Sequence, residues 1–387
     1  MNPNESEYDV MLREIALGPA FVRVSIGGVV ERARAAMALH AGRPVGGAIL
    51  IGCGDSFCAG LAARSYAAEQ TGLWIEPIEA LEFSRYLVEQ LPPDRAVVGI
   101  SNSGSVARTV EGVRFARERG AWTFGVTVSA ESELARAAET LVRLETIPNI
   151  KQRPDGTKLV TPGTLTYTAS LVGVCGWAIA LGAQLGVRTE AQTKEAIRSF
   201  ERVAEWIDAA YASSSTSAKE LAATFSRKRP TVIVGGGPNA ATAYFAAAKW
   251  YEALQWPAHH AEIEEWAHEQ YFFTGPETDT IVILPPGGSH ARGLEQLRAA
   301  REMGSRTIVI AEAGDEAARH AADVVFPMPA EVPESLTPFV YKTPFELLAA
   351  QIAAHNGIDF FGFGNPLRQQ VNFRQIFDSS QARTGTR

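Results

Sequence analysis

The stretch VVGISNSGSVARTVEG, residues 97–112, runs an apolar strand straight into a helix. Near-continuous apolar residues mark a strand covered on both faces, as in a parallel sheet. Beyond the junction, Val106, Val110 and Val113 recur at helical spacing, and Gly120 closes the pattern as a left-handed C′ residue. The junction itself is Ser101-Asn102-Ser103-Gly104-Ser105. Ligands of open α/β sheets bind at the carboxyl ends of the strands, which is where this polar cluster falls.

The chain repeats this plan. GGAILIGCGDSFCAGLAARSYAAEQ (46–70) and PTVIVGGGPNAATAYFAAAKWYEAL (230–254) each give an apolar run, a glycine-rich turn and an alanine-rich helix. AVVGISNSGSVARTVEGVRFARERG (96–120) then matches TIVILPPGGSHARGLEQLRAAREMG (280–304). The strands WTFGVTVS (122–129) and RTIVIAEAGD (306–315) follow, and ELARAAETLVRL (133–144) and EAARHAADVVFPM (316–328) each add a helix and a short strand. Strands alternating with helices are βαβ units. The fold class is α/β, two tandem doubly wound, flavodoxin-like subdomains with parallel sheets. The expected division is 1–195 for the first, with its lead-in helices, and 196–387 for the second, with a connecting helix and a C-terminal tail. The connecting helical segment covers 190–215, and SSSTS at 213–217 is its most linker-like point.

Bulk composition excludes several classes. The 387 residues carry a net charge of −7 and no basic block, which argues against nucleic acid or an anionic membrane as partner. Cys53, Cys58 and Cys175 have no metal-ligand spacing, and so few thiols fit a reducing compartment. The polar start MNPNESEYDVML is not a signal peptide, and LVGVCGWAIALGA (171–183) is too short to span a bilayer and reads as a buried helix. A cytoplasmic protein without metal or cofactor is expected.

The turn GCGDSFCAG (52–60) is not a dinucleotide fingerprint, because Phe57 stands where the pattern needs its third glycine, and no P-loop is present. The alternative is an anion site. A helix start offers unpaired N–H groups and a positive dipole end, and Ser101, Asn102, Ser103 and Ser105 add short neutral donors. A single serine there would be a helix cap; four polar residues beside the second serine-bearing turn exceed what capping needs.

These motifs resemble the sugar isomerase (SIS) domain. GCGDSFCAG and ISNSGSVART are similar to the GCGTSYHAG and ISQSGETADT of the isomerase half of glucosamine-6-phosphate synthase, and the lead-in MLREIALGPAFVR (11–23) resembles the segment before that domain. The likeness covers nearly the whole chain and has no counterpart of the glutaminase half. It implies a sugar-anion site built from Gly54, Ser56, Ser101, Asn102 and Ser103. TPGT, with Thr161 and Thr164, matches the segment that closes over the sugar. AAKWYE (247–252) places Lys249 and Glu252 on the family's lysine and base positions. His268, in EEWAHEQYF, stands at the family's spacing for the ring-opening histidine, and Glu265 matches the glutamate of that motif. Asp55 and Val106 depart from the pattern, so phosphate and sulfonate both remain open as the anion, and Phe245 stands where the family has a carboxylate one turn before the lysine. Val371 falls where the synthase has a C-terminal lysine, with Arg368 and Arg374 nearby, and Lys151, Arg153 and Lys158 lie in the inserted segment 146–167. LPPGGSH (284–290) has lost the serines of its counterpart, which leaves one anion site per chain.

The resemblance implies an aldose–ketose isomerase acting on a hexose with an anion at C6, through ring opening and a cis-enediol. A carboxylate with a raised pKa would shuttle the proton, and an imidazole would protonate the ring oxygen. A deglycase or deaminase of an amino sugar phosphate, of the fructosamine-6-phosphate type, and a non-catalytic sugar-phosphate sensor are the alternatives. The family also implies a homodimer in which His268 reaches the neighbouring subunit's site, with HHAEIEEWA (259–267) as a helix crossing the interface through Trp266.

Overall fold

The computed structural model describes residues 5–152 and 156–377. Arg153 lies outside the described residues. Strands β1 (Gly47–Gly52), β2 (Ile75–Glu79), β3 (Arg95–Ile100), β4 (Trp122–Thr127) and β5 (Thr140–Arg143) pair in parallel in the order β2-β1-β3-β4-β5. Strands β6 (Thr231–Gly235), β7 (Ala258–Glu262), β8 (Asp279–Leu284), β9 (Arg306–Glu312) and β10 (Val324–Met328) form a second parallel sheet, ordered β10-β9-β8-β6-β7. Both orders are the flavodoxin-like one, with the switch point between the first and third strands of each set. The doubly wound α/β reading holds for both.

The chain divides into two compact units. The first-sheet unit holds residues 21–147, 166–200 and those from 362 on; the second-sheet unit holds the chain up to residue 20, residues 148–165 and residues 201–361. The lead-in helix (Glu7–Ala38) and the connecting helix (Glu190–Leu221) each contribute to both, so residue 195 falls inside a helix.

Every residue of β1 and β4 is buried, as is every residue of β8, because helices cover both faces of each sheet. Ile49, Ile51, Val97, Val113 and Leu134 form one core of the first-sheet unit. Val232, Val234, Trp266, Val282 and Leu284 do the same in the second. The apolar helix Leu165–Gln184, which lies in the first-sheet unit from residue 166 on, is a buried helix: 94% of its most apolar stretch is buried, and among the described residues it alone is long and apolar enough to cross a membrane. Its glycines are packing sites, since a Cβ at Gly173 would lie 2.4 Å from Leu144 and 2.6 Å from Val126.

The duplication extends to the backbone. Gly54 (φ 53°, ψ −129°) precedes the helix Asp55–Thr71, and Gly237 (φ 54°, ψ −129°) precedes the helix Pro238–Lys249. A positive φ at the same point of both turns explains why glycine stands there twice.

Three expectations need correction. SSSTS (213–217) is not a linker but lies within the helix Glu190–Leu221. Ser213 Oγ donates to the Ala210 carbonyl at 3.1 Å and Ser215 Oγ to the Tyr211 carbonyl at 2.5 Å, so these hydroxyls bond back along the helix instead of opening it. Val106 is not on the helical face: it is the extended N-cap (φ −68°, ψ 111°) of the helix Ala107–Glu118, whereas Gly120 does take the left-handed conformation (φ 79°). HHAEIEEWA is not one helix, since residues 258–262 form edge strand β7 and only Ile263–His268 is helical. Trp266 is 1% exposed in the core of its own unit, so its indole is not a surface anchor.

Candidate active site

In the first-sheet unit the polar cluster sits at the end of β3, beside the turn that ends β1. Ser101 is buried, and its Oγ accepts from the Gly104 N–H at 3.1 Å. The Asn102 carbonyl accepts from the Val128 N–H at 3.2 Å and from Thr127 Oγ1 at 3.1 Å, which fixes the loop to the end of β4. Asn102 Nδ2 is buried and makes no hydrogen bond among the described residues. Ser103 and Ser105 share a hydrogen bond, Oγ to Oγ, at 2.9 Å. Gly104 must be glycine: its φ is +69°, and a Cβ would lie 2.3 Å from Ser132 Oγ.

None of these side chains caps the helix Ala107–Glu118, whose N-cap is Val106. The helix Asp55–Thr71, with half-buried Ser56 in its first turn, has no side-chain cap either. Two uncapped helix starts therefore flank the switch point between β1 and β3, with hydroxyl and amide donors around them. That arrangement is suited to an anion. Capping does not account for the serines. Gly52 allows the close turn, since a Cβ there would lie 2.9 Å from Phe57 N.

Cys53, in the same turn, is held as the thiol. Burial, followed by the Glu79 carboxylate that accepts from its Sγ at 3.3 Å, pushes the thiol up to about 12.

The second-sheet unit holds the other residues. The helix Pro238–Lys249 continues into a π-turn, Trp250–Leu254, which carries Glu252. Lys249 is fully buried. Its Nζ donates to Glu252 Oε2 at 2.5 Å and to the Gly163 carbonyl at 3.3 Å, and it lies 4.8 Å from the Phe245 ring centroid. The Glu252 side chain is 29% exposed, so one carboxylate faces both a buried ammonium and solvent. The segment Thr161–Thr164 is thus brought to Lys249 by the Gly163 carbonyl, with both threonines buried.

His268 ends the short helix Ile263–His268, two-thirds exposed, and its Nε2 lies 3.4 Å from Glu264 Oε1. Glu265 is exposed on the same helix. Lys158 is exposed, and Lys151 pairs with Glu14. Arg368 and Arg374 are exposed on the helix Pro366–Phe377, which buries none of its residues.

Two carboxylates escaped the sequence reading. Glu14 is 1% exposed, paired with Lys151 Nζ at 3.0 Å and accepting from Thr161 Oγ1. Its signal was present, since Val10, Met11, Glu14 and Ile15 share the buried face of the lead-in helix. Glu334 closes the second glycine loop: its Oε2 accepts from the Gly288 N–H at 3.3 Å, and a Cβ at Gly287 would lie 2.2 Å from its carboxyl carbon. The chain's own anion occupies the loop that lost its serines. Among the described residues no cluster of His, Cys, Asp and Glu could hold a metal ion.

Residues 45–172 match the SIS domain. The chain is similar to glutamine–fructose-6-phosphate aminotransferase (isomerizing) of Gloeobacter violaceus, with 27% identity over 310 residues, covering 80% of this chain and 49% of that protein. The Mycobacterium bovis enzyme of the same name is 27% identical over 358 residues, 90% of this chain and 55% of that one. The chain thus spans about half the length of the curated relatives it matches, and the homology is to their isomerase part. Among solved structures, the C-terminal domain of glucosamine-fructose-6-phosphate aminotransferase from Francisella tularensis superposes with a TM-score of 0.77 at 18% identity, covering 93% of this chain and 99% of that one. Tagatose-6-phosphate ketose/aldose isomerase from Escherichia coli gives 0.70 at 16% identity, over 91% and 93%. These two establish the shared fold. Ser56 and the Ser101–Ser103 cluster lie inside the SIS domain; Lys249, Glu252 and His268 follow it in the repeated unit.

Proposed function

We propose that the chain is an aldose–ketose isomerase of a hexose carrying an anion at C6, phosphate or sulfonate. The observation that carries this reading is the serine cluster that caps nothing at two uncapped helix starts. The relatives' names, an isomerizing aminotransferase and a ketose/aldose isomerase, support the substrate class.

In this reading Ser56, Ser101, Asn102 and Ser103 hold the anion with neutral donors, strong enough to orient it and weak enough to release product. Glu252 takes a proton from the carbon beside the carbonyl and returns it to the neighbouring carbon, so that the carbonyl moves between C1 and C2 through an enediol. Lys249 keeps that carboxylate in one orientation and supplies positive charge for the developing enediolate oxygen. His268 opens the ring, and its exposed position, with only exposed Glu264 beside it, fits a residue that serves a partner subunit in a homodimer.

The test is proton exchange. Hexose 6-phosphates and 6-sulfonates are incubated with the protein in D2O, and deuterium at C1 and C2 is followed by NMR. Glu252→Gln should slow incorporation about 10²–10⁴-fold. A variant as fast as wild type removes Glu252 as the base, and release of ammonia from an amino sugar phosphate instead would replace isomerisation with deamination.

A further inference from the structure

Glu14 is a buried charge that the proposed reaction does not use. It stands on the lead-in helix, in the part that belongs to the second-sheet unit. One carboxylate oxygen faces Lys151 Nζ at 3.0 Å, and the other accepts from Thr161 Oγ1. Two residues beyond Thr161, the Gly163 carbonyl accepts from Lys249 Nζ, which in turn donates to Glu252. Five residues distant in sequence thus form a short relay within one unit: Glu14, Thr161, Gly163, Lys249 and Glu252. With Lys151 beside Glu14 it brings together two carboxylates and two ammonium groups, of which Glu14 and Lys249 are buried.

We propose that Glu14 is a positioning residue for Glu252: it fixes the Thr161–Gly163 turn against Lys249 and balances the charge of Lys151 and Lys249, so that Lys249 orients Glu252 without suppressing its basicity. The inference rests on the reading of Glu252 as the base. The electrostatics are consistent with it. Burial raises the Glu14 pKa, while Lys151, the Thr161 hydrogen bond and Lys249 oppose that rise, so Glu14 senses both cations. Removing its charge would take away negative charge that opposes Lys151 and Lys249, and a carboxylate held by more positive charge is a poorer base.

The test reads Glu252 directly. Full-length protein carrying carboxyl-13C glutamate is titrated by NMR, with the Glu252 signal assigned by its absence from Glu252→Gln. Glu14→Gln should move the Glu252 midpoint down by about one pH unit, the lower end of what a neighbouring charge imposes. Adding Lys151→Met should return it, and Lys151→Met alone should move it up. A residue that only stabilised the fold would move none of these midpoints, so unmoved midpoints overturn the proposal. Lys151 has a side chain 30% exposed, so its single variant is the second measurement if Glu14→Gln does not fold, and an unmoved Glu252 midpoint in it overturns the proposal. Proton exchange on hexose 6-phosphates, run in parallel, separates the two readings. If Glu252→Gln keeps wild-type turnover, the base reading falls while the midpoints still report on Glu14. If Glu252→Gln is inactive and the midpoints are unmoved, only the Glu14 inference falls.

Discussion

Replacing Lys249 by Met isolates the ion pair that holds the proposed base. The ammonium is fully buried, 2.5 Å from Glu252 and 3.3 Å from the Gly163 carbonyl. Removing one partner of a buried pair costs about 3–5 kcal/mol, because the other is left uncompensated. Glu252 is 29% exposed, so hydration recovers part of this and about 2–3 kcal/mol remains. For a unit of this size each kcal/mol lowers Tm by about 2–4 °C, giving a drop of about 4–12 °C. Methionine matches the aliphatic stem, so little of the loss is cavity. Calorimetry of Lys249→Met, Glu252→Gln and the double variant checks the reasoning. The double variant has no orphaned carboxylate and should be more stable than Lys249→Met. If the two single effects simply add, the pair contributes nothing and the argument for a held carboxylate fails.

Ser101→Ala and Ser103→Ala should each weaken fructose 6-phosphate binding by about 1.5–3 kcal/mol, the worth of a hydrogen bond to a charged group, by calorimetric titration; normal binding by both would move the anion site elsewhere. Glu14 predicts a pH effect on stability. Its carboxyl is raised above 4.5 in the fold, so the native state keeps a proton that the unfolded chain releases, and its contribution to stability is present below that value and lost as pH rises through the folded pKa. Urea midpoints of Glu14→Gln should lack this decline, and an identical pH slope in both proteins would refute the assignment. If His268 serves a partner subunit, mixing inactive His268→Ala with inactive Ser101→Ala/Ser103→Ala and exchanging subunits restores one intact site; no recovered activity would place His268 in its own chain's site.

The two sheets were legible because their central strands are long apolar runs punctuated by glycine turns and followed by helical spacing. Edge strands β2 and β7 were not. IEPIE and AHHAE have no apolar run, as expected of strands that face solvent along one edge, and Pro77 is tolerated because an edge strand need not donate on both sides. The serine segment 213–217 misled because composition cannot report that each hydroxyl has a helical carbonyl within reach. Trp266 misled in the same way: charged neighbours suggested a surface, but one residue in each helical turn still points inward. For the candidate site, residue types pointed to the serine cluster, and the family resemblance pointed to Lys249 and Glu252. Helical spacing puts Glu14 on the buried face of the lead-in helix but does not give its pairing, because its partners come from residues 151 and 161 and only the fold brings those segments together.

Glu334 shows why a repeated backbone need not yield a repeated site. Gly54 and Gly237 share one conformation, and each introduces a helix without a side-chain cap. Such a turn leaves N–H groups that must be satisfied by something. In the second-sheet unit the Gly288 N–H of the next loop is met by the chain's own Glu334, and Gly287 is small enough to let that carboxylate in. In the first-sheet unit the corresponding loop carries Ser101, Asn102, Ser103 and Ser105, which donate and accept among themselves without closing the helix start. A fixed carboxylate can occupy such a loop permanently, because nothing needs to leave. Hydroxyls and an amide suit a loop whose anion must come and go, and this difference in residue type, on one backbone plan, is why the proposed anion site is put in the first-sheet unit.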